Sequence, residues 1–285
     1  MLEIHLLEQL VAFAETGALS RAAEELHTSQ PALTRAMKKL EAELGVALFV
    51  RTKNHLALNE TGRVAAEYAA HVLKEEAYFE ERVRAFDRSL HTLSIGYCAP
   101  VPQWVLTPLI NGVFEGMTIS ADMGDDRDFL ARLAQGTYQL AVTHEPPTDE
   151  KFFYQKCGHE DLFLSLLPSD PLAFYPEIHL RDIDGRSVLL LSRIGFWDPL
   201  VRQQTPHTQY LVQIEETSFV ELREHSAYPA FSSSYFLRRG QGTPGRIQVA
   251  LADPECHTDY YLVCLAREKE RFARLFSKVG ERTIA

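Results

Sequence analysis

The 285-residue sequence lacks several features that would place it in familiar classes. No apolar run approaches the ~18 residues that a membrane-spanning helix needs. The first residues include glutamates and no basic leader, so we expect no signal peptide. The four cysteines are widely scattered, which is typical of a reducing compartment rather than of a disulfide framework. We therefore expect a cytoplasmic protein that has no membrane partner.

An excess of basic charge is also missing, because the net charge is −10. The total would argue against a nucleic-acid partner, but the charge is unevenly distributed. Residues 20–63 contain seven Lys or Arg against five Glu, whereas residues 89–285 contain eighteen basic and twenty-five acidic groups. Duplex binding requires a cationic face and not a cationic protein. The composition therefore excludes neither class.

Three short helices and a hairpin are predicted at the start of the chain. Apolar residues at helical spacing predict helices over residues 3–15 and 19–26. Thr28 or Ser29 caps a third helix, and Pro31 lies in its first turn, where its missing N–H costs nothing. The run LFVRTKNHLAL then predicts two short strands around a polar tip. The pattern indicates helices that cross at close range, followed by a wing.

A long helix is predicted from residue 59 to about residue 88. Its apolar residues repeat every seven positions, which is typical of a helix that pairs with a second copy of itself. The alternative is a helix lying on the core of its own domain. The predicted dimerisation residues are Ala65, Ala69, Val72, Phe79, Val83 and Phe86.

The remaining residues, 91–285, alternate strand and helix patterns. Continuous apolar strands separated by helices predict an α/β fold with parallel sheets covered on both faces. The pattern starts again near Leu162, and the segment is long enough for two lobes.

At the N-terminus, Ala-Ala, Ser-Gln-Pro, Leu-Glu, Leu-Gly, Leu-Phe-x-Arg and Thr-Gly occur in one fixed order between residues 2 and 73. This combination resembles the winged helix-turn-helix of LysR-type transcriptional regulators. The resemblance implies a DNA-binding domain over residues 1–58, a linker helix over 59–90, and an effector domain over 91–285. The effector domain would have the two-lobed periplasmic-binding-protein-like (type 2) fold and would bind a small inducer in its cleft. Its first lobe would comprise about 91–160 and 254–285, and its second about 161–253.

The polar side of the third helix is the predicted reading surface. Gln30 can pair with adenine, and Arg35 with guanine or a phosphate. Basic residues on the wing would contact phosphate or the minor groove. The alternative is an ordinary solvated surface. The predicted DNA-binding residues are Ser29, Gln30, Pro31, Thr34, Arg35, Lys38, Arg51, Lys53 and His55.

For the effector, we expect a site outside the carboxyl ends of strands and at helix N-termini. Arg193 could pair with a carboxylate there. The alternative for each position is a core or surface role. The predicted effector residues are Cys98, Ala99, Pro100, Val101, Thr143, His144, Ser192, Arg193, Gly195, Phe196, Thr217 and Ser218.

The expected function is ligand-responsive regulation by a dimer or tetramer on double-stranded DNA, with RNA polymerase as a candidate partner and no cofactor besides the inducer. Two other classes of function were weighed. An enzyme would need a motif to accompany Cys98 and His144, and none is present. A metal or redox sensor could use two Cys-His pairs, formed by Cys157 with His159 and Cys256 with His257.

Overall fold

The computed structural model of the chain describes residues 2–52 and 55–281. The chain divides after Arg84 into two compact units. Among the helices described, none combines the length and the apolar character that crossing a membrane requires.

The first unit begins with three helices and a hairpin. The helices are α1 (Ile4–Thr16), α2 (Leu19–Glu25) and α3 (Gln30–Leu44), and the strands are β1 (Phe49–Thr52) and β2 (His55–Leu58). Leucines and aromatics from α1 and α3 form the core, and the small residues of α2 let the helices approach closely. Fully buried members of this core include Leu6, Ala22, Leu33, Met37 and Leu40.

The start of α3 follows the predicted pattern. The Ser29 hydroxyl accepts a hydrogen bond from the Ala32 backbone N–H at 3.3 Å, and proline occupies the first turn. Of the two candidate caps, Ser29 is therefore the one that caps the helix.

The long helix α4 (Glu60–Ser89) begins with another predicted cap. The Asn59 side-chain oxygen accepts a hydrogen bond from the Gly62 N–H at 2.7 Å. A Cβ on Gly62 would lie 2.1 Å from the Leu48 carbonyl oxygen, so only glycine permits this close approach between helix and wing. The beginning of α4 is thereby fixed against the first unit.

This packing corrects the predicted dimerisation surface. Ala69 is 3% exposed within the core of the first unit, and Ala65 packs against the same core. Their methyl groups are already used inside one subunit, as the alternative for this helix required. A seam between two copies would therefore begin at Val72.

The second unit contains ten strands and six α-helices within its described residues. The strands are β3 (Thr92–Tyr97), β4 (Thr118–Met123), β5 (Leu140–Thr143), β6 (Phe152–Leu166), β7 (Glu177–Ile178), β8 (Ser187–Leu191), β9 (Gln209–Gln213), β10 (Ala230–Ser233), β11 (Ile247–Leu251) and β12 (His257–Leu265). The helices are α5 (Pro100–Val113), α6 (Asp126–Gln135), α7 (Trp197–Gln204), α8 (Glu216–His225), α9 (Ser234–Arg238) and α10 (Lys269–Glu281).

The sheet is mixed, which corrects the prediction of purely parallel sheets. Strands β3, β4 and β5 are parallel to one another, as are β8, β9 and β10. Strand β6 runs antiparallel to β10, β11 and β12, and β12 runs antiparallel to β5. Strand β6 pairs with β12 as far as Asp161 and with β10 from Leu162, so it links two halves of a curled sheet. This change of partner falls beside the lobe boundary suggested by the sequence.

Candidate functional site

The outer side of α3 presents the predicted reading residues. Gln30, Pro31, Arg35 and Lys38 are exposed, whereas Leu33, Met37 and Leu40 on the opposite side are fully buried. Two predicted hydroxyls already have local partners, because Ser29 caps the helix and the Thr34 hydroxyl donates to the Gln30 carbonyl at 2.9 Å. The amide of Gln30 and the charges of Arg35 and Lys38 are the groups best placed for a partner.

The charges on α3 divide into two kinds. Lys39 forms an ion pair with Glu3 at 2.7 Å, so its charge is partly neutralised within the unit. Arg35 and Lys38 form no ion pair with any residue that the structure describes. Lys53 on the wing lies outside the described residues, as do the side chains of Arg51 and His55. The cationic surface is therefore defined here by Arg35 and Lys38.

Farther along α4, large apolar side chains point to solvent. The exposed fractions are 45% for Val72, 66% for Phe79, 53% for Val83 and 68% for Phe86. Apolar side chains at heptad spacing on one helix are typical of a self-association surface.

In the second unit, a groove of about 820 Å³ lies between the loop after β8 and the end of β4. Ser192, Arg193, Gly195 and Phe196 line it, as predicted for an effector cleft, although the sequence did not indicate the facing turn at 122–125. The Phe196 N–H donates to the Cys98 carbonyl at 3.0 Å. A Cβ on Gly195 would lie 1.8 Å from that same oxygen, so the loop rests directly on the end of β3.

Arg193 is the unbalanced charge of this groove. Asp198 pairs with Arg202 at 3.0 Å, and the Asp122 carboxylate accepts a hydrogen bond from Tyr138 at 2.6 Å. Arg193 is exposed, has a left-handed backbone (φ 57°), and makes no ion pair within the described part of the chain. A bulky residue with positive φ is uncommon and often marks a functional position. The groove can therefore offer a guanidinium to an anionic group.

His144 supports the groove from one side. Its ring stacks on Phe196 with centroids 4.0 Å apart, and its Nδ1 lies 2.8 Å from Asp126 Oδ2. Burial alone would lower the pKa of His144, but the hydrogen bond and charge of Asp126 raise it above the ordinary value. Asp126 was not predicted, since an acidic residue in the first turn of a helix is normally read as a solvated one.

One set of side chains has the composition of a metal site. Ligand atoms of Cys98, Asp126 and His144 lie within 4.8 Å of one another, and Asp126 Oδ1 is buried without a hydrogen-bond partner in the described residues. The predicted alternative set does not converge in this way. His159 and His257 each contact Asp161, at 2.7 and 2.8 Å, whereas Cys157 and Cys256 are buried in the core.

The remaining predicted effector residues are separated. Cys98, Ala99 and Thr143 are fully buried, and the Thr143 hydroxyl donates to the Glu145 carbonyl at 2.7 Å. Thr217 and Ser218 are exposed on α8 and line neither the groove nor the smaller pocket beyond it. Pro100 and Val101 line that pocket, which has a volume of about 300 Å³.

All four cysteines are buried free thiols. Burial raises the pKa of each, to about 12 for Cys256 and Cys264 and in the same direction for Cys98 and Cys157. Because the thiolate is the reactive form, these side chains are poor targets for oxidants at neutral pH.

We therefore expect the native protein to react with fewer than one equivalent of Ellman's reagent within minutes, and with four equivalents in guanidinium chloride. The reagent count at 412 nm is the measurement. Fast reaction of one or more native thiols would contradict this arrangement and would favour a redox sensor.

Comparison with known proteins places both units. Residues 4–63 match the family described as "Bacterial regulatory helix-turn-helix protein, lysR family", and residues 87–279 match "LysR substrate binding domain". A hydrogen peroxide-inducible genes activator of Dickeya chrysanthemi is 28% identical over 190 residues, which are 65% of this chain and 62% of the relative. The HTH-type transcriptional regulator TcbR of a Pseudomonas species is 30% identical over 200 residues, which are 68% of this chain and 67% of that protein.

The chain spans 62% to 63% of the length of three hydrogen peroxide-inducible genes activators that it matches. Among solved structures, a full-length OxyR variant from Pseudomonas aeruginosa superposes with a TM-score of 0.50 at 18% identity. That superposition covers 98% of this chain and 94% of the other, and it bears on the fold alone.

Proposed function

Because the chain belongs to the LysR family, we propose that it is a sequence-specific DNA-binding transcriptional regulator that responds to a small molecule and catalyses no reaction. The observation that carries this proposal is the exposed face of α3. Gln30, Arg35 and Lys38 lie on one side of a capped helix whose other side is core. A helix of this kind places hydrogen-bonding groups in the major groove of DNA, where each base pair presents a distinct pattern.

One copy of the chain supplies one such helix. A partner bound through the exposed stripe on α4 would supply a second, so the DNA site should be an imperfect palindrome. We propose a homodimer as the minimal active form, with tetramers and RNA polymerase as further partners and the cytoplasm as its location.

The groove beside Arg193 is the proposed effector site. An unpaired guanidinium faces a cavity whose volume suits a small organic molecule, and guanidinium groups pair well with carboxylates. We therefore propose an organic anion as the inducer. Of the predicted set, Ser192, Arg193, Gly195 and Phe196 remain as its contacts, with His144 supporting Phe196.

A second candidate function is metal-responsive regulation, which the grouping of Cys98, Asp126 and His144 favours. Zinc accepts all three ligand types and would require the Cys98 thiol to lose its proton. Elemental analysis of the purified protein separates the two candidates. One equivalent of zinc, lost in a His144→Ala variant, would favour the metal sensor.

The DNA-binding proposal is tested by sequencing the genomic fragments that the purified protein retains, followed by affinity measurements on the enriched sequence. Arg35→Ala is expected to weaken binding to that sequence by about 1–3 kcal/mol and to relax the base preference, because one bidentate base contact is lost. Fluorescence anisotropy with specific and scrambled duplexes measures both effects.

Lys39→Ala is the matched control, since it removes the same charge from the same helix. The Lys39 ammonium is held by Glu3, and its loss should change the specific affinity by less than about 0.5 kcal/mol. Equal losses in the two variants would mean that α3 contributes charge and no base reading. No enriched sequence at all would overturn the proposed function.

A further inference from the structure

The smaller pocket of the second unit is distinct from the groove beside Arg193. One wall comes from α5 and the others from β6, β8, α7, α8, β10 and α9. Its lining is mainly apolar and rich in aromatic rings, namely Trp104, Trp197, Phe219, Phe231 and Phe236. A pocket of about 300 Å³ with such walls suits a compact ligand with an apolar body.

A buried acid lies in this apolar surface. Glu160 is only 3% exposed, lines the pocket, and accepts a hydrogen bond from the fully buried Tyr260 hydroxyl. No Lys, Arg or His among the described residues forms an ion pair with Glu160. Burial raises the pKa of Glu160, and the neighbouring Tyr260, Ser233 and Trp197 oppose that shift only in part. A buried carboxyl group without a counter-ion is costly and needs a reason.

Unpartnered polar atoms surround the same cavity. Trp197 Nε1 and Ser233 Oγ are buried on side chains of residues only 3% and 4% exposed, and neither makes a well-formed hydrogen bond. Arg223 Nε is also buried without a partner. Each orphan of this kind costs about 1–3 kcal/mol, and native proteins contain few of them. Three on the lining of one pocket indicate a site whose hydrogen bonding is completed by a ligand.

The charges and rings favour a cation as that ligand. Two carboxylates, Glu160 and Glu216, line the pocket against one guanidinium, that of Arg223, which lies 5.6 Å from the Phe219 ring centre. Aromatic faces attract ammonium groups and repel anions. A carboxylate ligand would meet the same faces and the Glu160 side chain.

We propose that this pocket is a second ligand site, which binds a small molecule carrying an ammonium group on an apolar or aromatic body, with Glu160 as the counter-ion. The ammonium group contacts Glu160 within the aromatic walls, while Trp197 and Ser233 complete the polar end. This site goes beyond the organic-anion groove and does not depend on it. Because α5 and the β8–α9 elements belong to different halves of the curled sheet, an occupied pocket links the two halves.

The protein contains two tryptophans, and both line this pocket, so their fluorescence reports on it directly. The full-length chain is titrated with 2-phenylethylamine, 2-phenylethanol and 3-phenylpropionate, which share one ring and differ in charge. We expect saturable quenching by the amine with a dissociation constant about ten-fold lower, or better, than for the alcohol and the acid. The wild-type series alone already tests the proposal, so a variant that fails to fold does not obscure the result.

Glu160→Gln keeps the shape and should remove the preference for the amine over the alcohol. Glu216→Gln and Asp122→Asn remove the same charge at the pocket edge and in the separate groove, and should retain most of that preference. Equal binding of amine and alcohol, tighter binding of the acid, or no saturable quenching would each overturn the amine site. Binding of wild-type protein to its enriched DNA sequence is measured in parallel, so failure of this site and failure of the regulatory function are distinguishable.

Discussion

Gly195→Ala is expected to lower the free energy of unfolding of the second unit by about 3 kcal/mol or more. An alanine at φ 66° costs about 1 kcal/mol in backbone strain. Its Cβ would also lie 1.8 Å from the Cys98 carbonyl oxygen, and relieving that overlap requires the loop to leave the end of β3. Urea unfolding followed by tryptophan fluorescence measures the loss, because both tryptophans belong to this unit.

Gly185→Ala is the matched control. Gly185 also has a left-handed backbone, with φ 81°, but a Cβ there would meet nothing within 4 Å. We expect it to cost only about 1 kcal/mol. A Gly195→Ala variant no less stable than Gly185→Ala would show that the 192–196 loop does not rest on β3 in solution. A displaced loop should also weaken binding of the organic-anion inducer.

Phe79→Asp is expected to abolish self-association at micromolar concentration, with dimerisation weakened at least about 100-fold. Phe79 is 66% exposed in the single chain, so the change removes apolar contact area only between copies. Burying an unpaired carboxylate in such a seam costs about 3 kcal/mol or more. Light scattering over a dilution series gives the association constant, and Val72→Asp should behave in the same way.

The loss should extend to DNA. Two linked α3 helices bind a palindromic site far more tightly than one, because the second binding event is intramolecular. The control is Ala77→Asp, which adds the same charge two residues away on an exposed position outside the heptad stripe. If both variants still dimerise, the apolar stripe of α4 is not the seam. If both become monomeric, helix charge rather than the stripe is responsible.

The helix-turn-helix could be predicted almost entirely from sequence, because its elements are fixed by neighbours in the chain. Ser29 and Asn59 act as caps through hydrogen bonds to residues three positions away. The apolar positions Leu33, Met37 and Leu40 share one helical face and are all buried. Local chemistry of this kind can be read from a short window.

The long strand β6 shows where that reading fails. Its first ten residues, FFYQKCGHED, include many polar side chains and gave no strand signal. The strand exists because β12 pairs with it over nine registered positions, including Asp259 with His159. Pairing with a segment about 100 residues away is a tertiary property, and it made the sheet mixed where parallel strands were expected.

Glu160 was missed for the same reason. In the run GHED it stands between two polar residues, His159 and Asp161, which contact each other at 2.7 Å on the outer face. Side chains alternate along a strand, so Glu160 points inward while its neighbours point outward. The alternation becomes legible only once the register of β6 against β12 is known.

The sequence by itself determined the local elements, the recognition face of α3 and the family to which the chain belongs, since helix periodicity, caps and ordered motifs depend on near neighbours. Tertiary structure alone decided that Ala65 and Ala69 lie in a core, that Gly195 rests on the end of β3, and that Glu160 faces an aromatic pocket. Each of these depends on contacts between distant segments. Their free energy comes from packing and desolvation, which a linear pattern does not specify.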